Sequence, residues 1–328
     1  MQRRSLVLAG VGLMASAGSG TAAQADDASR PLRMVVPFGP GSGLDAIGRA
    51  LAQTMGKNFD SAVIVENREG AAGAIGARAV AGASADGHTL LLAANPPFAV
   101  MPILQKQPSY DPIQDFTPIA RIAEMPMVLV ASRHSPLASF SDMTAYAKAN
   151  PGKLNYASAG VGVPSHLFME QLKKSLGLDL TFVPYKSTGQ MYTDVISGQV
   201  PLATVSLSVA KPQLDAGTWK ALAIGLPRRH KDFPDIPTIG EVSPSVDLSN
   251  CMTVTYGLLG PRGLPAQELR KSYEQVAKAT KSPEFSAVLQ SQFAELALQG
   301  PEEFSATLAA NHRANSLLIQ GLGLAASM

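Results

Sequence analysis

Uninterrupted apolar runs, each closed by a glycine-rich turn and followed by a stretch with helical spacing, recur along most of this chain. RMVVPF ends in GPGSG and leads into LDAIGRALAQTMG, where Leu44, Ile47, Leu51 and Met55 share one helical face. SAVIVE repeats the pattern, with NREGAAGAIG opening the helix AIGARAVAGA, and HTLLLAAN with PPFAVMPILQ repeats it again. Runs of Val, Ile and Leu without alternation suit parallel strands covered on both faces. Strand alternating with helix predicts an α/β fold of doubly wound sheets.

The rhythm breaks at QKQPSYDPIQDFTP and resumes with the strand MPMVLVAS. SFSDMTAYAKANPG is a helix, with Ser141 as its expected N-cap and Gly152 just past its end. The second block runs KLNYASAG, helix SHLFMEQLKKSLG, strand LTFVPY, helix GQMYTDVISG, then strands PLATVSL and WKALAIG. RRHKDFPDIPTIGEV reads as a proline-studded surface loop. SNCMTVTYGLLGP returns as a strand, and the helices PAQELRKSYEQVAKATK and PEEFSATLAANHRANSLLIQ close the chain. Two similar blocks predict two lobes joined by extended crossings that act as a hinge. The expected division is a signal peptide over 1–25, one lobe from 26–123 plus 253–328, and the other from 124–252.

Arg3 and Arg4 precede the apolar stretch LVLAGVGLMASAG, which is too short to span a bilayer, and Ala23-Gln24-Ala25 is an A-x-A cleavage site. A cleaved signal peptide and a periplasmic destination follow, by general secretion or the twin-arginine route. About 300 residues are left, enough for two domains. The chain carries 27 Lys and Arg against 25 Asp and Glu, so losing Arg3 and Arg4 balances the mature charge. That balance argues against nucleic acid or an anionic membrane as the main partner. The single cysteine, Cys251, permits no internal disulfide and reads as a packed thiol. A monomer is expected.

Three loops carry the functional argument. Gly41, Ser42, Gly43 and Asp45 open the first helix; Ser158, Gly160, Gly162, Ser165 and His166 mark the loop after LNYA; Lys186, Ser187 and Thr188 follow FVPY. Backbone N–H groups at a helix start attract anions, and glycines let that backbone approach closely. Asn95 closes HTLLLAAN, and Ser206 closes PLATVSL. Loops at the carboxyl ends of strands converge on a crevice in such sheets. One competing pattern is a literal G-x-G-x-x-A over Gly41 to Ala46, with Glu66 ending the next strand. It resembles a dinucleotide fingerprint. Arg68 stands beside Glu66 to pair it, and no hydride-transfer machinery follows. Neither Ser42 nor Ser158 sits in G-x-S-x-G, and His88, His134, His166, His230 and His312 show no metal-ligand spacing. The chain is therefore read as a receptor with no catalytic residue, metal or cofactor. An exported dinucleotide-dependent oxidoreductase and an orphan sensor receptor are the alternatives.

VVPFGPGSGLD, VIVENREGAAG, SYDPIQDFTPIA, PGKLNYASAGVGVPSHL, FVPYKS, DVISGQV and YGLLGPRGLP occur in order. Over these segments the chain resembles the Bug-type receptors of tripartite tricarboxylate transporters. The resemblance implies a two-lobed periplasmic binding protein, type II-like, with a ligand crevice between the lobes. It also implies capture of a small carboxylate by backbone amides, hydroxyls and waters, and delivery to membrane permease subunits. Gly41, Gly43 and Asp45 match the family's first-loop pattern; Leu44 stands where threonine is usual. Pro201 and Val205 replace two customary acids, and Ser206 and Ser208 offer hydroxyls nearby. A preference for carboxylates without an amino group is the expected consequence.

Overall fold

The computed structural model describes residues 30–57, 62–95, 97–185, 187–244 and 253–325. The expected signal peptide, Lys186 and Cys251 lie outside the described residues. In chain order the elements are β1 (Leu32–Val36), α1 (Gly43–Gly56), β2 (Val63–Asn67), α2 (Ala74–Ala81), β3 (Thr89–Asn95), α3 (Pro97–Leu104) and the long β4 (Phe116–Ser132). They continue with α4 (Phe140–Ala149), β5 (Leu154–Ser158), α5 (Pro164–Leu176), β6 (Leu180–Pro184), α6 (Thr188–Ser197), β7 (Leu202–Ser206), α7 (Leu207–Asp215) and β8 (Trp219–Ile224). The rest are α8 (Ile239–Val242), β9 (Thr253–Pro261), α9 (Ala266–Ala279), α10 (Pro283–Ser291), β10 (Glu295–Gln299) and α11 (Pro301–Gly321).

The strands pair in the order β2-β1-β3-β9-β4-β7-β5-β6, with β10 and β8 also bonded to β4. β1 lies parallel to β2 and β3, and β5 parallel to β6 and β7, as the unbroken apolar runs predicted. β4 and β9 differ. β4 is antiparallel to β7, β8, β9 and β10, and β9 is antiparallel to β3, so the sheet is mixed where the two lobes meet. Phe116 to Pro126 of β4 pair with β9, and from Met127 the same strand pairs with β7. One strand thus belongs to both lobes, the first built on β1–β3, β9 and β10, the second on β5–β8.

α1 buries the predicted stripe Leu44, Ile47, Leu51 and Met55 against the first lobe. Each such side chain, fully buried, contributes about 1.5–3 kcal/mol from apolar area removed from water. SYDPIQDF is pinned by its rings: Tyr110, Phe98 and Phe116 lie 5.0–5.8 Å apart, and the Tyr110 hydroxyl donates to the Phe98 carbonyl at 2.9 Å. The last helix returns to the first lobe, packing on α3 and β4.

Several local readings change. Ser139, not Ser141, caps α4, because its Oγ accepts the Asp142 N–H at 3.0 Å. That helix ends at Ala149 with Asn150 as its cap, before Gly152. Helix α7 lies between PLATVSL and WKALAIG, where none was expected, and α10 and β10 precede the final helix. Inside the proline-studded loop, Thr238 and Glu241 form a reciprocal capping box at the start of α8.

Candidate functional site

Ser42 is the N-cap of α1, and its Oγ accepts the Asp45 N–H at 3.2 Å. Asp45 turns inward and is buried. It accepts from the Gly41 N–H at 2.9 Å, from Arg49 Nε at 2.9 Å and from Asn67 Nδ2 at 2.8 Å. Burial alone would raise this carboxyl, but those hydrogen bonds and the Arg49 charge hold it below its ordinary value. Asn67 also donates to the Phe38 carbonyl at 2.9 Å, so the VENR segment fastens the first loop from behind. Gly41 turns with φ +83°, a conformation glycine adopts without penalty. The N–H groups of Gly43 and Leu44 have no partner within the helix and are free to meet an anion.

In the second loop, Ser158 and Ser165 share a buried hydroxyl contact of 2.7 Å. The Gly162 N–H donates to His166 Nδ1 at 3.2 Å, and the ring rests 4.4 Å from that of Phe182. Burial depresses the imidazole below its ordinary value, with Glu170 opposing and Lys173 reinforcing the shift. His166 therefore accepts a loop N–H as a neutral ring and staples the loop. Gly162 has φ +77°, and a Cβ there would collide with the Leu104 side chain, so the second lobe's loop presses on α3 of the first. Gly160 also has positive φ, at +137°. Ser187 caps α6 weakly, 3.5 Å from the Gln190 N–H. The Tyr185 N–H to Ser158 carbonyl bond of 3.0 Å ties this third loop to the second.

These loops meet at a crevice of about 270 Å³. Ser42, Gly43 and Leu44 line it from α1, Val163, Pro164 and Ser165 from the start of α5, and Thr188 from α6. Thr204, Val205 and Ser206 line it from β7 and the cap of α7, and Tyr256 from β9. Of the expected residues, Ser42, Gly43, Ser165, Thr188 and Ser206 border the space. Gly41, Asp45, Ser158, Gly160, Gly162, His166 and Ser187 stand behind it and shape its loops. Asn95 is buried near it, next to the lining residue Ala94, with Oδ1 lacking any hydrogen-bond partner among the described residues. Two residues missed by sequence reasoning also line it: Thr204, whose buried Oγ1 has no partner among the described residues, and Tyr256. Period-2 alternation along PLATVSL was the available signal for Thr204; Tyr256 opens YGLLGPRGLP, which carried the family resemblance but marked no site role.

No Asp, Glu, Lys or Arg is among the described residues lining the crevice. Starts of α1, α5, α6 and α7 supply partial positive charge instead. Glu66, the acid of the apparent dinucleotide fingerprint, is occupied. Arg33 bonds one of its oxygens and Arg68 the other, holding its carboxyl below its ordinary value and giving it a structural role in place of a ribose contact. A larger hollow of about 520 Å³, lined by Ser139, Lys148, Pro237 and Ser243, receives none of these loops. Among the described residues no cluster of His, Cys, Asp and Glu fits a metal, and no helix is long and apolar enough to cross a membrane.

Two α/β lobes, one strand shared between them and a crevice ringed by helix starts define a two-lobed solute-binding protein of the periplasmic class. Residues 47–324 match the family model described as tripartite tricarboxylate transporter family receptor. The chain belongs to that family. It is 36% identical over 257 residues to a UPF0065 protein of Bordetella pertussis, an alignment covering 78% of either chain. Among solved structures it resembles the periplasmic binding protein BugD, with TM-score 0.76, 30% identity and coverage of 90% of this chain and 98% of that one. It also resembles R. palustris Rpa4515 with adipate, with TM-score 0.79, 29% identity and coverage of 90% and 98%. MatC of Rhodopseudomonas palustris with bound malate gives TM-score 0.75, 29% identity and coverage of 88% and 99%. The family and these neighbours are solute-binding receptors, and this chain is a receptor and not an enzyme.

Proposed function

We propose that the chain captures a small carboxylate without an amino group in the crevice and presents it to membrane permease subunits. The observation that carries this reading is the ring of four helix starts and neutral hydroxyls around a space with no charged side chain among its described lining residues. Such a ring favours an anion and offers no acid to hold an ammonium. Ser42, Gly43, Ser165, Thr188 and Ser206 are the direct contacts, with Gly41, Asp45, Asn95, Ser158, Gly160, Gly162, His166, Lys186 and Ser187 completing the site. A charge-assisted hydrogen bond contributes about 1.5–3 kcal/mol net. A few of them, less the cost of association, reach about micromolar affinity.

The lobes divide as 26–123 with 253–328 and 124–252, supported by the change of β4 partners at Pro126 and Met127. Delivery to a permease rests on family membership. Periplasmic residence of the mature chain and a cleaved leader over 1–25 rest on the family and on the A-x-A site.

A thermal-shift series of mono-, di- and tricarboxylates tests the reading, since a ligand of the native state raises the melting temperature. Acids without an amino group should raise it more than aspartate or glutamate. A larger shift with glutamate than with glutarate would reject the amine-free clause, and no shift with any acid would reject the receptor assignment.

A further inference from the structure

The polar groups of the crevice are not spread evenly. The Ser206 and Ser208 hydroxyls lie 3.2 Å apart, and the Ser208 hydroxyl lies 4.0 Å from the Met125 sulfur. From the other lobe, the buried Tyr256 hydroxyl points at the same sulfur at 3.5 Å. A Cβ on Gly43 would stand 3.1 Å from the Gln292 amide oxygen, 3.5 Å from that Tyr256 oxygen and 3.8 Å from the sulfur. The first turn of α1 and the cap of α7 therefore flank one spot, with hydroxyls from both lobes around it. A thioether is a weak acceptor, so the Tyr256 proton and one of the two serine protons have no strong partner among the described residues. Thr204, only 2% exposed, lines the same crevice with its Oγ1 unpartnered. Buried donors left in this state are the signature of a site completed by something else.

Away from that spot the lining is mainly apolar, with Phe38, Leu44, Val163, Met191, Val205 and Val254 interrupted by Ser165, Thr188 and Tyr192. No Lys or Arg is among the described lining residues to accompany a second negative charge. A second carboxylate against the apolar part of that wall loses its hydration with little compensation. The volume of about 270 Å³ holds about nine waters at about 30 Å³ each, the scale of one ring with its substituent.

We propose that the ligand is a monocarboxylate with a ring-sized apolar body, its carboxylate between the starts of α1 and α7 against the Tyr256 hydroxyl and its body against Leu44, Met191 and Val205. This rests on the receptor reading and narrows its substrate class. Few orienting polar groups in an otherwise apolar cleft is the usual design of small-molecule sites.

The test is calorimetric titration of the purified chain with phenylacetate, cyclohexanecarboxylate, succinate and malate. The two ring acids should bind at least tenfold more tightly than the two diacids. In Tyr256→Phe the ring acids should weaken five- to tenfold while still outranking the diacids. Succinate or malate binding as tightly as the ring acids overturns the proposal and leaves the receptor reading standing. Unchanged ring-acid affinity in Tyr256→Phe overturns the placement of the carboxylate. If none of the four acids binds, the proposal fails; the receptor reading falls with it only if the wider carboxylate series also leaves the melting temperature unmoved.

Discussion

Ser42 does two jobs with one oxygen. Its lone pair caps the Asp45 N–H, while its hydroxyl proton is left to donate into the crevice. Ser42→Ala should therefore cost stability as well as affinity, about 0.5–2 kcal/mol for the lost cap, whereas Ser42→Gly should cost only a few tenths. Both should bind the cognate acid more weakly. Thermal melts beside titrations separate the roles, and full affinity in either variant would remove Ser42 from the contacts. His166 makes a pH prediction. Its ordinary value of 6.5 is lowered in the folded chain by burial. Between the two values the unfolded chain binds more protons, so stability rises with pH there. The contribution is full above 6.5 and lost as pH falls through the folded value, where a second ring proton would displace the Gly162 N–H. His166→Gln should flatten denaturant stability below pH 6.5 relative to the natural chain; parallel curves would contradict the stapling role. The chemistry of this loop was legible in SAGVGVPSH, but its direction was not. Ser165 faces Ser158 and His166 faces Phe182, because successive side chains in the first turn of α5 point about 100° apart, and only packing decides which meets which neighbour.

At the scale of elements, strands and amphipathic helices were read from periodicity, and the misses have causes. α7 carries Pro212 and Lys211 within nine residues, which breaks helical spacing. α10 and β10 are short and half-exposed, and the single apolar turn Phe285, Val288 and Leu289 is too brief to fix a helical period. The loop between them matters most. Phe293 sits there at φ +51°, a left-handed conformation that costs a non-glycine residue about 1–2 kcal/mol. Its ring packs 5.6 Å from Phe233 and 6.1 Å from His230, and Lys211 lies 5.7 Å over Phe233. Since β10 pairs with the first-lobe stretch of β4, this ring bridges the lobes. Phe293→Ala should lower stability by about 2 kcal/mol through lost apolar burial. Phe293→Gly should be no worse, because glycine removes the left-handed penalty. A glycine variant melting well below the alanine variant would contradict that account.

For the whole molecule, the α/β class, the two blocks and the returning C-terminal helix were visible in the order of runs and turns. The mixed sheet was not. Met127–Ala131 of β4 and Tyr256–Leu259 of β9 are as continuously apolar as the parallel strands, since burial on both faces leaves the same composition whichever way a neighbour runs. The crevice was legible in part for the same reason. Glycine-rich turns announce helix starts, but Tyr256 enters on β9, between β3 and β4, and its role depends on a pairing that sequence spacing does not encode. Recognition of negative charge by helix starts, without a basic side chain among the described lining residues, is the working principle proposed for the whole molecule.

Calorimetric titration with the tightest-binding acid and with its primary amide, equal in shape but uncharged, tests this most directly. One-to-one binding of the acid, with the amide at least tenfold weaker, is the predicted result. Equal affinity of acid and amide would contradict the claim that this crevice reads an anion.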